Sequence, residues 1–201
     1  TARQSIASIV VAASASVSGS AGVGVGLSGA GASARNQIAS QVAAYVQGGA
    51  APGVQAASIT LEATDTSSIK ADVGSASLAG AVGLGAGVAV SIAVALAENE
   101  VVNSVEAYAL DATLLARSGA IALRATETAT ITSLTVAASV VVSGGFAGIS
   151  GSGAGADASN LIRNRVSATA TNSSLTAQTT AGDVALTATN TASISALVVA
   201  V

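Results

Sequence analysis

Bulky and tiny side chains alternate along most of this chain, and the alternation has a period of two. In the first third, Ile9, Val11, Val17, Val23, Val25 and Leu27 all occupy odd positions. The even positions between them hold Ser14, Ser16, Ser18, Ser20, Gly22, Gly24 and Gly26. In the middle third the bulky set is even, running from Leu78 and Val82 through Val88, Val90, Ile92, Val94 and Leu96. In the last third Leu134, Val136, Val140, Val142 and Phe146 are even again. Side chains alternate between two faces in a strand and recur at 3.6 residues in a helix, so these stretches predict β-strands. Tight turns are expected near Gly19 and Gly29. The best case for a membrane helix is Val73 to Ala97, twenty-five residues without a charge. Its strict alternation argues against a helix, and no membrane span is predicted.

The strands belong to a repeat of about 63 residues. SITLEATDTSSI from Ser58, AIALRATETATI from Ala120 and DVALTATNTASI from Asp183 match almost without gaps. A second block recurs as ARNQIASQVAAY from Ala34, AENEVVNSVEAY from Ala97 and ASNLIRNRVSAT from Ala158. Units are therefore placed at about 5–67, 68–129 and 130–192, with a fourth begun at 193–201, where SISALVVAV matches SIASIVVAA from Ser5. The expectation is an elongated all-β fold, a β-solenoid, forming a single repetitive segment (1–201) of a longer protein. Whether one unit makes one coil, several coils or a meander stays open from the sequence.

Parity also assigns faces. Asn36, Ile38, Ser40, Val42 and Ala44 share one face, and Gln37 and Gln41 lie opposite. The equivalent faces hold Asn99 and Asn103 with Val101, and Asn160 and Asn164 with Ile162. These five Asn positions lie on the apolar side and need hydrogen-bond partners. Two structural arrangements satisfy them: ladders between stacked coils, or turn corners in which each Asn caps its own loop. For the Val, Leu and Ile stretches, the expectation is that the bulky face points inward. The bare face, represented by Gly22, Gly24 and Gly26, would then be a flat outer surface for self-association.

Composition narrows the function. Only 8% of the 201 residues are charged and 1% aromatic, against about 25% charged in ordinary domains. Seven cations and a net charge of −3 give no basic stripe, so nucleic-acid binding is not expected. With no His and no Cys, the commonest general base and the thiolate metal ligands are missing. Asp65, Asp111, Asp157 and Asp183 are scattered singly and do not supply the clustered oxygens that Ca²⁺ requires. No catalytic, cofactor-binding or metal-binding residue is predicted. Three T-x-T triplets stand at one repeat position: Thr64 with Thr66, Thr126 with Thr128, and Thr189 with Thr191. If each unit were a single coil, they would stack as an outward Thr array able to order water or bind ice.

GDVALTATNTASI, AGAVGLGAGVAVSIAVA and NEVVNSVEAYAL together resemble the repeats of very large filamentous haemagglutinin-like and leukotoxin-type bacterial adhesins. The resemblance covers essentially the whole chain. It implies a right-handed β-helix-like solenoid, located outside the cell as a secreted or cell-surface stalk. A homo-oligomer or filament built from copies of itself is the expected partner state, and a surface or glycan ligand is the alternative. It carries no catalytic residues to this chain.

Overall fold

The computed structural model describes residues 1–48, 53–178 and 182–201. They form eleven strands, and among them there is no helix. The first unit supplies β1 (Ala2–Ser20), β2 (Val23–Gln47) and β3 (Val54–Ala56). The second supplies β4 (Ile59–Gly83), β5 (Ala86–Leu110) and β6 (Thr113–Ala116). The third supplies β7 (Ile121–Gly144), β8 (Ala147–Ile162), β9 (Arg165–Thr171) and β10 (Ser174–Ala177), and β11 (Val184–Ala200) follows.

Every pairing between these strands is parallel. The first long sheet has the order β1-β4-β7-β11. The second long sheet stacks β2, β5 and β8, with β9 continuing the pairing along β5. A short third sheet, β10-β6-β3, lies beyond the far ends of the second. The registers follow the repeat: Ala2 pairs with Asp65, Ile59 with Ile121 and Ile121 with Val184. One passage through a repeat thus returns the chain to the next strand of the same sheet. The fold is all-β and parallel, as a β-solenoid or β-helix requires.

At about 3.3 Å per residue, a 25-residue strand such as β4 or β5 spans roughly 80 Å. The two long sheets lie face to face over this length and meet at narrow turns, Ala21–Gly22, Leu84–Gly85 and Gly145–Phe146. Gly29, expected at a turn, lies inside β2. The opposite corner has a repeated backbone state. Gly48, Asp111 and Asn172 occupy equivalent places and all have positive φ, at 73°, 51° and 48°. Gly, Asp and Asn are the residues that adopt this conformation at least cost. Asp111 is therefore a corner residue.

The interior is a taper. Where the short sheet adds a third wall there is room for Ile59, Leu114, Ile121, Leu123 and Val105, all buried. Further along, Ile38, Ile69, Val101 and Ile131 fill a narrower space. Beyond them the buried side chains are mostly alanines, such as Ala93, Ala95 and Ala137, with Val73. Close to the turns only Ala79, Ala81 and Ala89 remain in the core cluster. There the backbones nearly touch: a Cβ at Gly24 would lie 2.7 Å from the Val82 carbonyl oxygen, and one at Gly26 would collide with that of Gly80.

This geometry reverses one expectation. Gly24 and Gly26 are buried between the sheets, and Gly22 sits exposed at the first turn. Val23, Val25 and Leu27 point outward, as do Ile9, Val11 and Val17. The Gly22, Gly24 and Gly26 stretch is accordingly not an outer self-association face. The cause is steric. Facing strands that both carry Gly, Ala and Ser bring the sheets too close together for Val or Leu to fit between them.

Candidate functional site

Two features stand out from this framework: a polar seam buried in the wide half, and aliphatic outer faces on the narrow half.

The seam is built from the Asn block of the second sheet and the T-x-T block of the first. Asn36 Nδ2 donates to Asn99 Oδ1 at 2.8 Å, and Asn99 Nδ2 donates to Asn160 Oδ1 at 2.8 Å. Of the two arrangements open from the sequence, these three residues form the ladder. Asn103 and Asn164 reach sideways as well. Asn103 Oδ1 accepts from the Ser40 backbone N–H, and Asn164 Oδ1 accepts from that of Asn103, both at 3.1 Å. The second bond sits where β8 ends and β9 begins, so a side chain replaces a missing rung of the backbone ladder.

Opposite them lies an acidic pair. Asp65 and Glu127, the middle residues of two T-x-T triplets, are register partners on β4 and β7 and are both 0% exposed. Asp65 Oδ2 accepts from Ser40 Oγ (2.9 Å), Ser67 Oγ (3.1 Å) and Asn103 Nδ2 (2.7 Å). Glu127 Oε1 accepts from Asn103 Nδ2 (3.0 Å) and Asn164 Nδ2 (2.7 Å). Asp65 Oδ1 and Glu127 Oε2 have no partner. Among the described residues no ion pair includes either acid. Burial pushes the Glu127 carboxyl up to about 7, against the lowering effect of the Asn103 hydrogen bond. The neighbouring Asp65, through its charge and a hydrogen bond, raises it further. A proton on Glu127 relieves the repulsion that two bare carboxylates there would feel. Among the described residues no three acidic, His or Cys side chains gather as a metal site.

The T-x-T triplets stack in register. Thr64, Thr126 and Thr189 form one row across the first sheet, and Thr66, Thr128 and Thr191 form the next. The four on β4 and β7 are half-buried and the two on β11 are exposed. The other charges sit on outer faces of the same half. Arg163 Nη2 lies 2.6 Å from Glu100 Oε1, while Arg35–Glu98 and Arg165–Glu106 are looser, at 3.5 and 3.8 Å. Tyr45 and Tyr108 stack on the second sheet with centroids 5.0 Å apart.

The narrow half carries little charge on its outer faces: Asp72, paired with Lys70 at 3.4 Å, lies in register between Ile9 and Leu134 on the first sheet. Outside the first sheet stand Ile9, Val11, Leu78, Leu134, Val140 and Val142; outside the second stand Val25, Leu27, Val90, Ile92, Val94 and Ile149. Phe146, at the third turn, is 99% exposed. Hydroxyls take the inside instead, with Ser14, Ser28, Ser77 and Ser91 forming a chain of 2.9 Å hydrogen bonds. Among the described residues no helix is long and apolar enough to cross a membrane. No family model matches the chain, and neither a curated protein nor a solved structure does.

Proposed function

We propose that this chain is a structural segment of a long, secreted bacterial surface protein, a stiff fibre or stalk that associates with copies of itself. In this reading it is a right-handed β-solenoid in which each 63-residue repeat makes one wide coil. The single observation that carries the proposal is the pair of aliphatic outer faces on the narrow half, whose charge is confined to Asp72 at the border of the first sheet's face. Contiguous apolar surface larger than a few hundred Å² marks an interaction site on a protein otherwise in water. The resemblance to filamentous adhesin repeats supplies the surface location. Sedimentation velocity of the purified chain tests the reading. Association that rises with concentration and is lost in Val90→Lys with Ile92→Lys is the expected result. A monomer at every concentration would overturn it.

A second reading is favoured by one observation. The Thr triplets lie on neighbouring strands about 4.8 Å apart, which makes a regular outward array, and Thr130 and Thr132 lengthen it on β7. Such an array orders water, and ice is the ligand it would take. Thermal hysteresis in the wild type and its loss in Thr126→Val with Thr128→Val would establish this reading; no hysteresis would dismiss it.

A further inference from the structure

The two outer aliphatic faces differ, and their relief is opposite. On the second long sheet the central strand β5 is high, with Val88, Val90, Ile92, Val94 and Leu96 in one ridge. The strands beside it fall to glycine: Gly29 and Gly31 on β2, and Gly151, Gly153 and Gly155 on β8. A Cβ added at Gly31 or at any of those three on β8 would meet nothing within 4 Å. On the first long sheet the central strand β4 is low at Gly74, Ala76 and Gly80, with Leu78 standing between the last two and Val82 beside the turn. Its neighbours are high, with Ile9 and Val11 on β1 and Leu134, Val136 and Val140 on β7. Ala13, Ala76 and Ala138 pair in register as a shallow depression across the face.

Resting on the self-association reading above, we propose that copies pack front to back, the first long sheet of one against the second long sheet of the next. The β7 ridge then lies over the β8 glycines, and β4 lies along β5 with Leu78, five residues before Gly83, interleaved between Val90 and Ile92. Distances from the turns support the match. Val140, Ala138 and Val136 stand four, six and eight residues before Gly144, and Gly151, Gly153 and Gly155 stand four, six and eight after Ala147. Each side chain of that ridge meets a position without one. Gly80, three residues before Gly83, falls between Val88 and Val90, two and four after Ala86. Gly74 likewise falls between Val94 and Leu96. At the border of the charged half, Lys70 stands thirteen residues before Gly83 and falls between Glu98 and Glu100, while Asp72, its ion-pair partner, falls between Leu96 and Glu98. Val142 and Ile149 both stand two residues from their turn and meet bulk to bulk, so the sheets splay slightly there.

Three strands about 4.8 Å apart and about eleven residues long make a face of about 500 Å², or about 1,000 Å² buried in total. That is the lower bound for a specific interface from these coils alone. Because the two contacting faces are different, the contact is heterologous and does not close on itself. It generates open lateral stacks.

The test is sedimentation velocity and electron microscopy of the 201-residue chain and three variants. Gly153→Leu with Gly155→Leu fills the trough at positions open to solvent. Val140→Gly removes the knob, and Val140→Gly with Gly151→Val moves that knob to the other face. Expected are growing stacks in the wild type, at least tenfold weaker association in the first two variants, and recovery in the exchanged pair. Unchanged circular dichroism shows that the coils stay intact. Undiminished association after trough filling would overturn this contact and leave self-association by another surface. A wild-type monomer would overturn both readings. A dimer that does not grow would overturn the front-to-back arrangement. Flotation of a monomeric wild type with phosphatidylcholine vesicles, lost on trough filling, would assign the face to lipid and overturn the proposal.

Discussion

Replacing Glu127 with glutamine removes a titrating group from the buried seam while keeping the shape of the side chain. Glu127 Oε1 accepts from Asn103 and Asn164, and the amide oxygen of Glu127→Gln keeps that role. The amide NH₂ then faces Asp65 Oδ1, which has no partner in the wild type. In the folded chain the Glu127 carboxyl is raised from 4.5 to about 7, chiefly by burial and further by Asp65. The folded state therefore holds more proton than the unfolded state between those two values. The stability this proton contributes is complete below about 4.5, falls as the pH rises and is gone above about 7. At roughly 1.4 kcal/mol per pH unit, the loss across the window is roughly 3 kcal/mol. Guanidinium denaturation followed by circular dichroism from pH 4 to 8 reads it directly. The wild type is expected to lose stability through this range while Glu127→Gln stays flatter and becomes the more stable of the two above pH 7. Parallel pH profiles for both proteins would refute the reasoning, because they would mean that no proton is taken up at this site on folding.

Three further outcomes follow from the same geometry. Gly26→Val drives a side chain into the Gly80 backbone and should destabilise by about 1–3 kcal/mol or more, whereas Gly31→Val, open on its outer face, should leave the denaturation midpoint nearly unchanged. Asn99→Ala strips Asn36 of an acceptor and Asn160 of a donor, and should cost about 1–3 kcal/mol in the same assay. Since the chain has no cysteine, single introduced thiols report orientation: Val25→Cys should react rapidly with a maleimide and Ala93→Cys slowly, and equal rates would contradict the outward aliphatic face.

The strands and the repeat are legible because period two and the 62–63-residue spacing of the T-x-T blocks are properties of the chain itself, whereas the register needs the further fact that one repeat makes one turn of the fold. Ser58 to Ile69 and Ala120 to Ile131 align in sequence, and Ile59 pairs with Ile121 in space. The direction of the faces is less legible, because a bulky apolar position is expected to point inward. Leu27 is odd and Ile38 is even, and a turn at Gly29 would let both face the interior; β2 runs through Gly29 without a break, so only one of them can. The thin layer that sends Leu27 outward depends on Gly80 and Val82 of a different strand, and local pattern does not reveal which strands face each other. The acidic pair was half visible. Asp65 and Glu127 share parity with Ala63 and Ile69, and with Ala125 and Ile131, which would have placed them inside. Their donors, Asn103 and Asn164, come from the opposite sheet and could not be assigned from spacing alone.

The central claim, a fibre segment whose aliphatic faces are covered by further copies, is tested most directly by X-ray scattering from concentrated, aligned chain. Two spacings are predicted: about 4.8 Å along the coil axis, and a transverse repeat shorter than about 20 Å, because the Gly- and Ala-lined sheets inside each coil stand closer than the usual distance of about 10 Å. Scattering from separate particles, with no transverse repeat at any concentration, would contradict it.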